Sequence, residues 1–368
     1  MNNNLSSGFG GLGEIDEPRN IKVRVTSALE KLLEIESKCL HQFKFPYKKI
    51  ISNNDINCPQ SIIKEIYFPL FLQLERKIDF DIDEETINGF IFSNLFLDLD
   101  LVESSLLGVY TGALLHVLTK KNQQKGKRTI LHIDGNGNAF PYLFSYAGLV
   151  DELIIQNFKG WGICQHIGCN GYINRLVVTD IVSDYALSGI CDYHGEANVV
   201  VSIQNNSFGQ FANYRSSYPS LRYINQLICV SCRGDESLRG LASHGKISQL
   251  ICVDLIGDKV LTQCGFSSGL VEQLIIANVK GNILLGRNIH GEITKVIYGF
   301  NNRFVKTNEP YGDNEDDYRH GSHSIPEDNE LVTLAQQLSG KPYQEVLRIA
   351  DELYALRPKA LKGGLERK

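Results

Sequence analysis

A short apolar run returns eight times between Arg128 and Val305. It reads ILHIDGNG from Ile130, LIIQNFKG from Leu153, LVVTDIVS from Leu176 and VSIQNNSFG from Val201. It then reads LICVSCRG from Leu227, LICVDLIG from Leu250, LIIANVKG from Leu274 and VIYGFNNR from Val296. The lead residues stand 23, 23, 25, 26, 23, 24 and 22 residues apart. A run this short cannot bury its own face, but stacked copies share one continuous core. The period is too short for a strand–helix–strand unit, which needs roughly 30 residues or more. It suits one coil per copy, with the same strand of adjacent coils pairing at roughly 4.8 Å. Leu250 and Cys252 alternate with Ile251 and Val253, which is the period of a strand and not of a helix.

Two columns support this register. Four residues after the leads stand Asp134, Asn157, Asp180, Asn205, Ser231, Asp254 and Asn278. Small polar residues there tie their side chains to turn backbone and stack as a ladder. Gly148, Gly171, Gly195, Gly245, Gly269 and Gly291 precede strands, and are read as turn positions at positive φ. The layout resembles right-handed parallel β-helix proteins, polar turn ladders included, over about half the chain. The resemblance is architectural and implies right-handed coiling. The expected fold is mainly β: a parallel β-solenoid of about eight coils, with an N-terminal helical cap and a C-terminal helical hairpin.

The regions follow in order. Residues 1–20 are rich in Asn, Ser and Gly, the composition of a disordered tail. Residues 21–127 form the cap. Apolar spacing predicts an amphipathic helix over 21–43, a second over 61–76 that Pro69 kinks, and a mostly helical 83–120. A polar loop, 120–127, leads into the solenoid at 128–305. Such a cap covers a strand edge that would otherwise be open to pairing. Residues 306–329 are an acidic linker. Helices over 330–338 and 342–356 make a hairpin (330–358), and 359–368 is a basic tail.

Composition bounds the function classes. With 43% apolar and 21% charged residues the chain reads as soluble and globular. A net charge of −5 and no broad basic stripe argue against nucleic acid. The longest apolar stretch, 62–74, holds Lys64, Glu65 and Pro69 and is too short to span a bilayer. Nine cysteines, an odd number with several in strands, favour free thiols in a reducing compartment. With no signal pattern at the N-terminus, the expectation is a cytoplasmic protein without a membrane partner.

Asp184, Asp235 and Asp258 each fall eight residues after a lead residue. Asp235 and Asp258 belong to adjacent coils. Paired carboxylates can bind calcium or divide acid and nucleophile roles in glycoside cleavage; Gly-Asp is also ordinary turn chemistry. Asp134, Asp180 and Asp254 lie at least two coils apart, which suits a structural ladder. His194, His244 and His290 are in non-adjacent coils, too far apart to ligate one metal. Ser243-His244-Gly245 resembles the His-Gly element of β-helix polygalacturonases, but their Asn-Thr-Asp, Asp-Asp and Arg-Ile-Lys elements are missing. Cys229 and Cys232 form a C-x-x-C whose first member stacks over Cys252, a core position. Cys164, Cys169, Cys191 and Cys264 lie near turns with no activating partner in the sequence.

Asp134 opens DGNGNAF, a glycine loop that lacks the second glycine pair of a phosphate cradle. Asp79, Asp81 and Asp83 begin like an EF-hand loop, but Glu84 and Phe90 stand where Gly and the bidentate Glu are required. The longest coil carries Phe208, Phe211, Tyr214, Arg215, Tyr218 and Tyr223. Insertions of this kind emerge on a binding face, so Tyr214, Arg215 and Tyr218 are the candidate binding residues. The resulting expectation is a non-enzymatic solenoid scaffold presenting a surface to a protein or glycan, with no cofactor. Its hairpin is free to dock a second partner or another copy. The alternative is a carbohydrate-active hydrolase or lyase using the aspartate column, with calcium assisting.

Overall fold

Each inner strand of the solenoid pairs with the strand one coil before and one coil after it, and each end strand with its one neighbour. The structure, a computed structural model, describes residues 26–52, 59–211, 222–241, 245–258, 260–261, 269–280, 292–298 and 329–363. Strands β1 (Ile130–Asp134), β2 (Leu149–Gln156), β3 (Tyr172–Thr179), β4 (Glu196–Ile203), β5 (Tyr223–Val230), β6 (Lys246–Val253), β7 (Leu270–Ala277) and β8 (Glu292–Tyr298) form one parallel sheet in chain order. The coils that start at β1, β2 and β3 are described around their whole circumference. The proposed tail 1–20, the linker up to 328, and Tyr214, Arg215, Tyr218, His244, His290, Cys264 and Gly291 lie outside the described residues.

The register corrects two lead residues. Leu131, not Ile130, pairs with Leu153, and Val200, not Val201, pairs with Leu176 and Leu227. Asp134 is therefore the last residue of β1, and Gln204, not Asn205, closes β4. The closing residues Asn157, Asp180, Gln204, Ser231, Asp254 and Asn278 all adopt φ between 53° and 56°. The ladder is local: the Asn157 amide donates to both Asp134 oxygens at 3.0 and 3.2 Å, and Asn278 donates to Asp254. Asn205 turns inward, accepting from the Ile181 N–H at 2.8 Å.

The glycines before the strands also differ from expectation. Gly148, Gly171, Gly195 and Gly245 are not at positive φ. What demands glycine at Gly171, Gly195 and Gly245 is the previous coil. A Cβ on Gly171 would stand 1.7 Å from the Gly148 carbonyl oxygen.

Positive φ falls instead on the turn face. Tyr142, Phe144 and Tyr146, then Cys164 and His166, then Tyr185 and Leu187 adopt it at every second residue. Overlapping i→i+3 bonds follow, such as Gln165 N–H to Gly162 O at 2.9 Å, while Cys164 N–H reaches Leu143 O of the previous coil at 2.8 Å. None of the positive-φ side chains is β-branched. Ile163, Ile167 and Ile190 take the positions between them, where φ is negative. A β-branched side chain is costly in the left-handed region, so the pattern is sterically consistent.

The cap comprises α1 (Ala28–Ser52), α2 (Pro59–Ile62), a π-helical turn (Ile63–Tyr67), α3 (Phe68–Lys77), α4 (Glu84–Asn94) and α5 (Leu101–Gln124). Helix α5 runs through most of the predicted polar loop. Pro69 cannot donate a helical hydrogen bond. The expected kink appears as the π-turn just before it, where the Phe68 N–H reaches the Ile63 carbonyl five residues back. Asp83, the last of the EF-hand-like acids, caps α4 by accepting from the Thr86 N–H.

By length and apolarity α5 meets the requirements of a membrane span, but its most apolar window is 72% buried inside the protein. It lies on the first coil. Cβ atoms on Gly108 and Gly112 would come within 2.4 Å of Tyr142 and 2.1 Å of Ser145 O. Cap and solenoid share one core.

Cap side chains satisfy the first coil's open donors. Phe144 N–H donates to Thr111 Oγ1 at 3.0 Å. Gly148 N–H donates to Tyr67 Oη at 2.9 Å, and that oxygen lies 2.7 Å from His116 Nδ1. The tyrosine oxygen accepts the Gly148 bond and shares a second hydrogen bond with the imidazole. Burial first, and then nearby Lys120, depress the His116 pKa from 6.5 to about 4. Between those values the unfolded chain binds the proton and the folded chain does not, so stability falls as pH drops from 6.5 towards 4. Thermal melts should show that acid limb weakened in His116→Gln; equal slopes would remove His116 as its source.

The sheet's outer face is also apolar. Ile154, Val177, Val199, Val201, Ile228, Val230, Ile251, Val253 and Ile275 form a second core with Leu331, Val332, Ala335, Leu338, Val346, Ile349, Ala350 and Leu353. These last residues belong to α6 (Asn329–Gln336), α7 (Tyr343–Gly363) and the turn between them. The hairpin therefore packs on its own sheet instead of hanging free. Helix α7 climbs the stack. Tyr343 meets His132 of β1 edge-on at 6.1 Å, and Arg357 pairs with Glu272 of β7 at 2.6 Å. Buried Gln226 donates to Gln249 Oε1 (2.7 Å) and Ala350 O (2.8 Å). Gln249 repeats this to Gln273 Oε1 (2.6 Å) and Leu353 O (3.1 Å). Three helical residues rise about 4.5 Å, close to the roughly 4.8 Å between strands, so consecutive coils bond to consecutive turns of α7.

Candidate functional site

The solenoid has three flanks. The strand flank lies under the hairpin. The turn flank of the first coil lies under α5. The remaining flank is a column of single parallel bridges: Ala139, Lys159, Val182, Asn206, Arg233, Ile256 and Lys280. Their side chains are exposed. Two residues further along each coil stands a second column: Trp161, Asp184, Phe208, Asp235 and Asp258, again exposed. The glycines and serines between the columns keep the chain extended over this corner and leave the flanking side chains pointing out.

The aromatic residues here form a ladder. Tyr142, Trp161, Tyr185 and Phe208 meet edge-to-face in succession, with ring centroids 5.7, 5.2 and 5.6 Å apart and interplanar angles of 86–87°. Edge-to-face is a favoured aromatic geometry, so the rings hold one another in fixed orientations. Trp161 remains 43% exposed and Phe208 38%, with Val182 and Ile256 at 50% and 42% beside them. Trp161, Val182 and Phe208 lie on successive coils and form an exposed apolar cluster, with Ile256 two coils further on.

Asp184, Asp235 and Asp258 share this flank, but Phe208 separates the first from the other two. Asp235 and Asp258 are in adjacent coils, as the repeat predicted. Asp235 Oδ1 accepts the Asp258 backbone N–H at 2.8 Å. That is turn chemistry joining two coils. Both acids are exposed, whereas the acid of a glycosidase pair is kept protonated by an apolar pocket. Asn136 N–H donates to Asp134 Oδ1 at 2.8 Å, so the DGNG run is a side-chain-capped turn. His194 is a turn residue at φ 69°.

The cysteines pack as core. Cys229 pairs in register with Cys252, and both are buried. Cys232 lies beyond the end of β5, where strand alternation no longer applies, and contacts the Ser202 hydroxyl at 3.2 Å. Burial pushes the thiols of Cys164, Cys169 and Cys191 up, which makes them poor nucleophiles.

One buried polar group leaves no mark in the repeat. Arg222 donates to Asp192 at 2.6 Å, and His166 Nδ1 lies 3.4 Å from the same carboxylate. Arg222 and Asp192 close successive coils, so the pair ties β4's coil to β3's. Long-range pairing of this kind has no periodic trace in a sequence. No family of known proteins, no curated protein and no solved structure matches this chain.

Proposed function

We propose that this protein is a non-enzymatic scaffold that binds its partner along the bridge flank of the solenoid. The observation that carries the reading is the exposed strip of Trp161, Val182, Phe208 and Ile256, held rigid by the aromatic ladder. The solenoid supplies a straight, pre-formed surface, so little ordering entropy opposes binding. The hairpin occupies the strand flank, and α5 covers the turn flank of the first coil. The enzymatic alternative rests on the adjacency of Asp235 and Asp258, and their exposure and shared turn bond weigh against it.

Trp161 is the chain's single tryptophan, so its fluorescence reports on this strip alone. A true partner should blue-shift or quench the emission. Trp161→Ala should weaken binding by about thirtyfold, as expected for an aromatic anchor worth ~2 kcal/mol. The protein should turn over no member of a polysaccharide panel. Turnover that Asp258→Asn abolishes would replace the scaffold with the enzyme.

A further inference from the structure

We infer that the occupant of the bridge flank is a neutral, hydroxyl-rich polysaccharide lying along the solenoid axis, an inference that rests on the scaffold reading above. Two features of the strip select this ligand class. The first is its repeat. The outer column runs Trp161, Asp184, Phe208, Asp235: platform, acceptor, platform, acceptor. Equivalent residues recur every coil, so the two platforms stand roughly 10 Å apart. A ligand with its own translational repeat of that length can satisfy such a strip along its length.

The second feature is the pairing of chemistries. Aromatic faces take the C–H faces of a sugar ring, while ionised carboxylates are acceptors only and take its hydroxyl donors. Asn206 in the neighbouring column offers both donor and acceptor, and Lys159 and Arg233 add donors to ring and hydroxyl oxygens. The charges on the strip also balance. Lys159, Arg233 and Lys280 stand beside Asp184, Asp235 and Asp258, within the roughly 8 Å screening length of physiological salt, so the strip offers a polyuronate or nucleic acid no net attraction.

The test titrates the full-length protein with cello-, xylo-, manno-, malto- and chito-oligosaccharides of two to six units and with polygalacturonate, reading Trp161 emission. One neutral series is expected to give a saturable shift. Its affinity should rise about tenfold or more once the chain is long enough to reach both platforms, a gain of about 1.4 kcal/mol or more. Phe208→Ala should remove that length dependence while the Trp161 reporter stays in place. Asp184→Asn should weaken binding several-fold. No response to any neutral series, or a response to polygalacturonate alone, overturns the polysaccharide assignment. If saccharides fail but a purified protein partner shifts Trp161, the scaffold survives and only its ligand class is wrong. If Trp161→Ala alters no interaction of the protein, the scaffold reading fails as well.

Discussion

Gly171→Ala is expected to cost more than about 4 kcal/mol, enough to unfold a marginally stable domain. The backbone there is not left-handed, so alanine's own conformational preference is no obstacle. The obstacle is the previous coil, whose Gly148 carbonyl oxygen would lie 1.7 Å from the new methyl. Neither atom has room to retreat. The carbonyl accepts the Tyr172 N–H at 2.8 Å, so moving it breaks the first bond of β3. The informative comparison is Gly137→Ala. Gly137 has φ 78°, and a methyl added there would meet nothing within 4 Å. Its replacement should cost only about 1 kcal/mol of backbone strain. Thermal melts followed by circular dichroism separate the two. Equal losses would mean that the coils do not approach as closely as described.

Deleting residues 329–363 is expected to turn a well-behaved protein into an aggregating one. The deletion bares Ile228, Val230, Ile251, Val253 and Ile275 on a single flat face. Each such side chain is worth roughly 1.5–3 kcal/mol when buried, and a broad apolar sheet face recruits other chains. The truncated protein should bind a hydrophobic dye strongly and leave the monomer peak on size exclusion. A gentler variant isolates the contact. Leu353 is fully buried, and Leu353→Ala should weaken docking by about 2–5 kcal/mol, exposing the hairpin to protease while the strands keep their circular dichroism. A truncated protein that stays monodisperse and dye-free would contradict the cis-docked hairpin.

The parts of this fold that are legible in the sequence are those enforced by repetition. Parallel coils impose one register on every strand, so the leads of β2, β3, β5, β6, β7 and β8 can be read directly. The lead of β4 reads one position off because ANVVVSI is apolar on both faces, and alternation carries no information when both faces are buried. That same double apolarity is a signal that the outer face is covered. So is the thrice-repeated Gln-Leu-Ile at Gln226, Gln249 and Gln273, whose first two amides bond α7. Glycine is ambiguous in the sequence because two demands, positive φ and close approach, select the same residue.

The site is less legible. Each bridge residue stands six residues after its strand's lead once β4 is led by Val200, which puts Lys-Gly-Trp, Val-Ser-Asp, Asn-Ser-Phe, Arg-Gly-Asp and Ile-Gly-Asp in one frame. The exposed column at Trp161, Asp184, Phe208, Asp235 and Asp258 then appears. All five stand eight residues after the strand leads, Trp161 after Leu153 and Phe208 after Val200; reading β4 from Val201 hides Phe208, and spacing alone does not show which loop residues share an exposed face.

The emission of Trp161 tests the central claim most directly. In the free protein a half-exposed indole between two tyrosines should be accessible to iodide or acrylamide. Saturating partner should shield it. Gly340→Ala, in the hairpin turn on another flank, should leave that shielding intact. An indole whose quenching never changes in the presence of a bound partner would place the interaction elsewhere on the molecule and contradict the bridge flank as the binding surface.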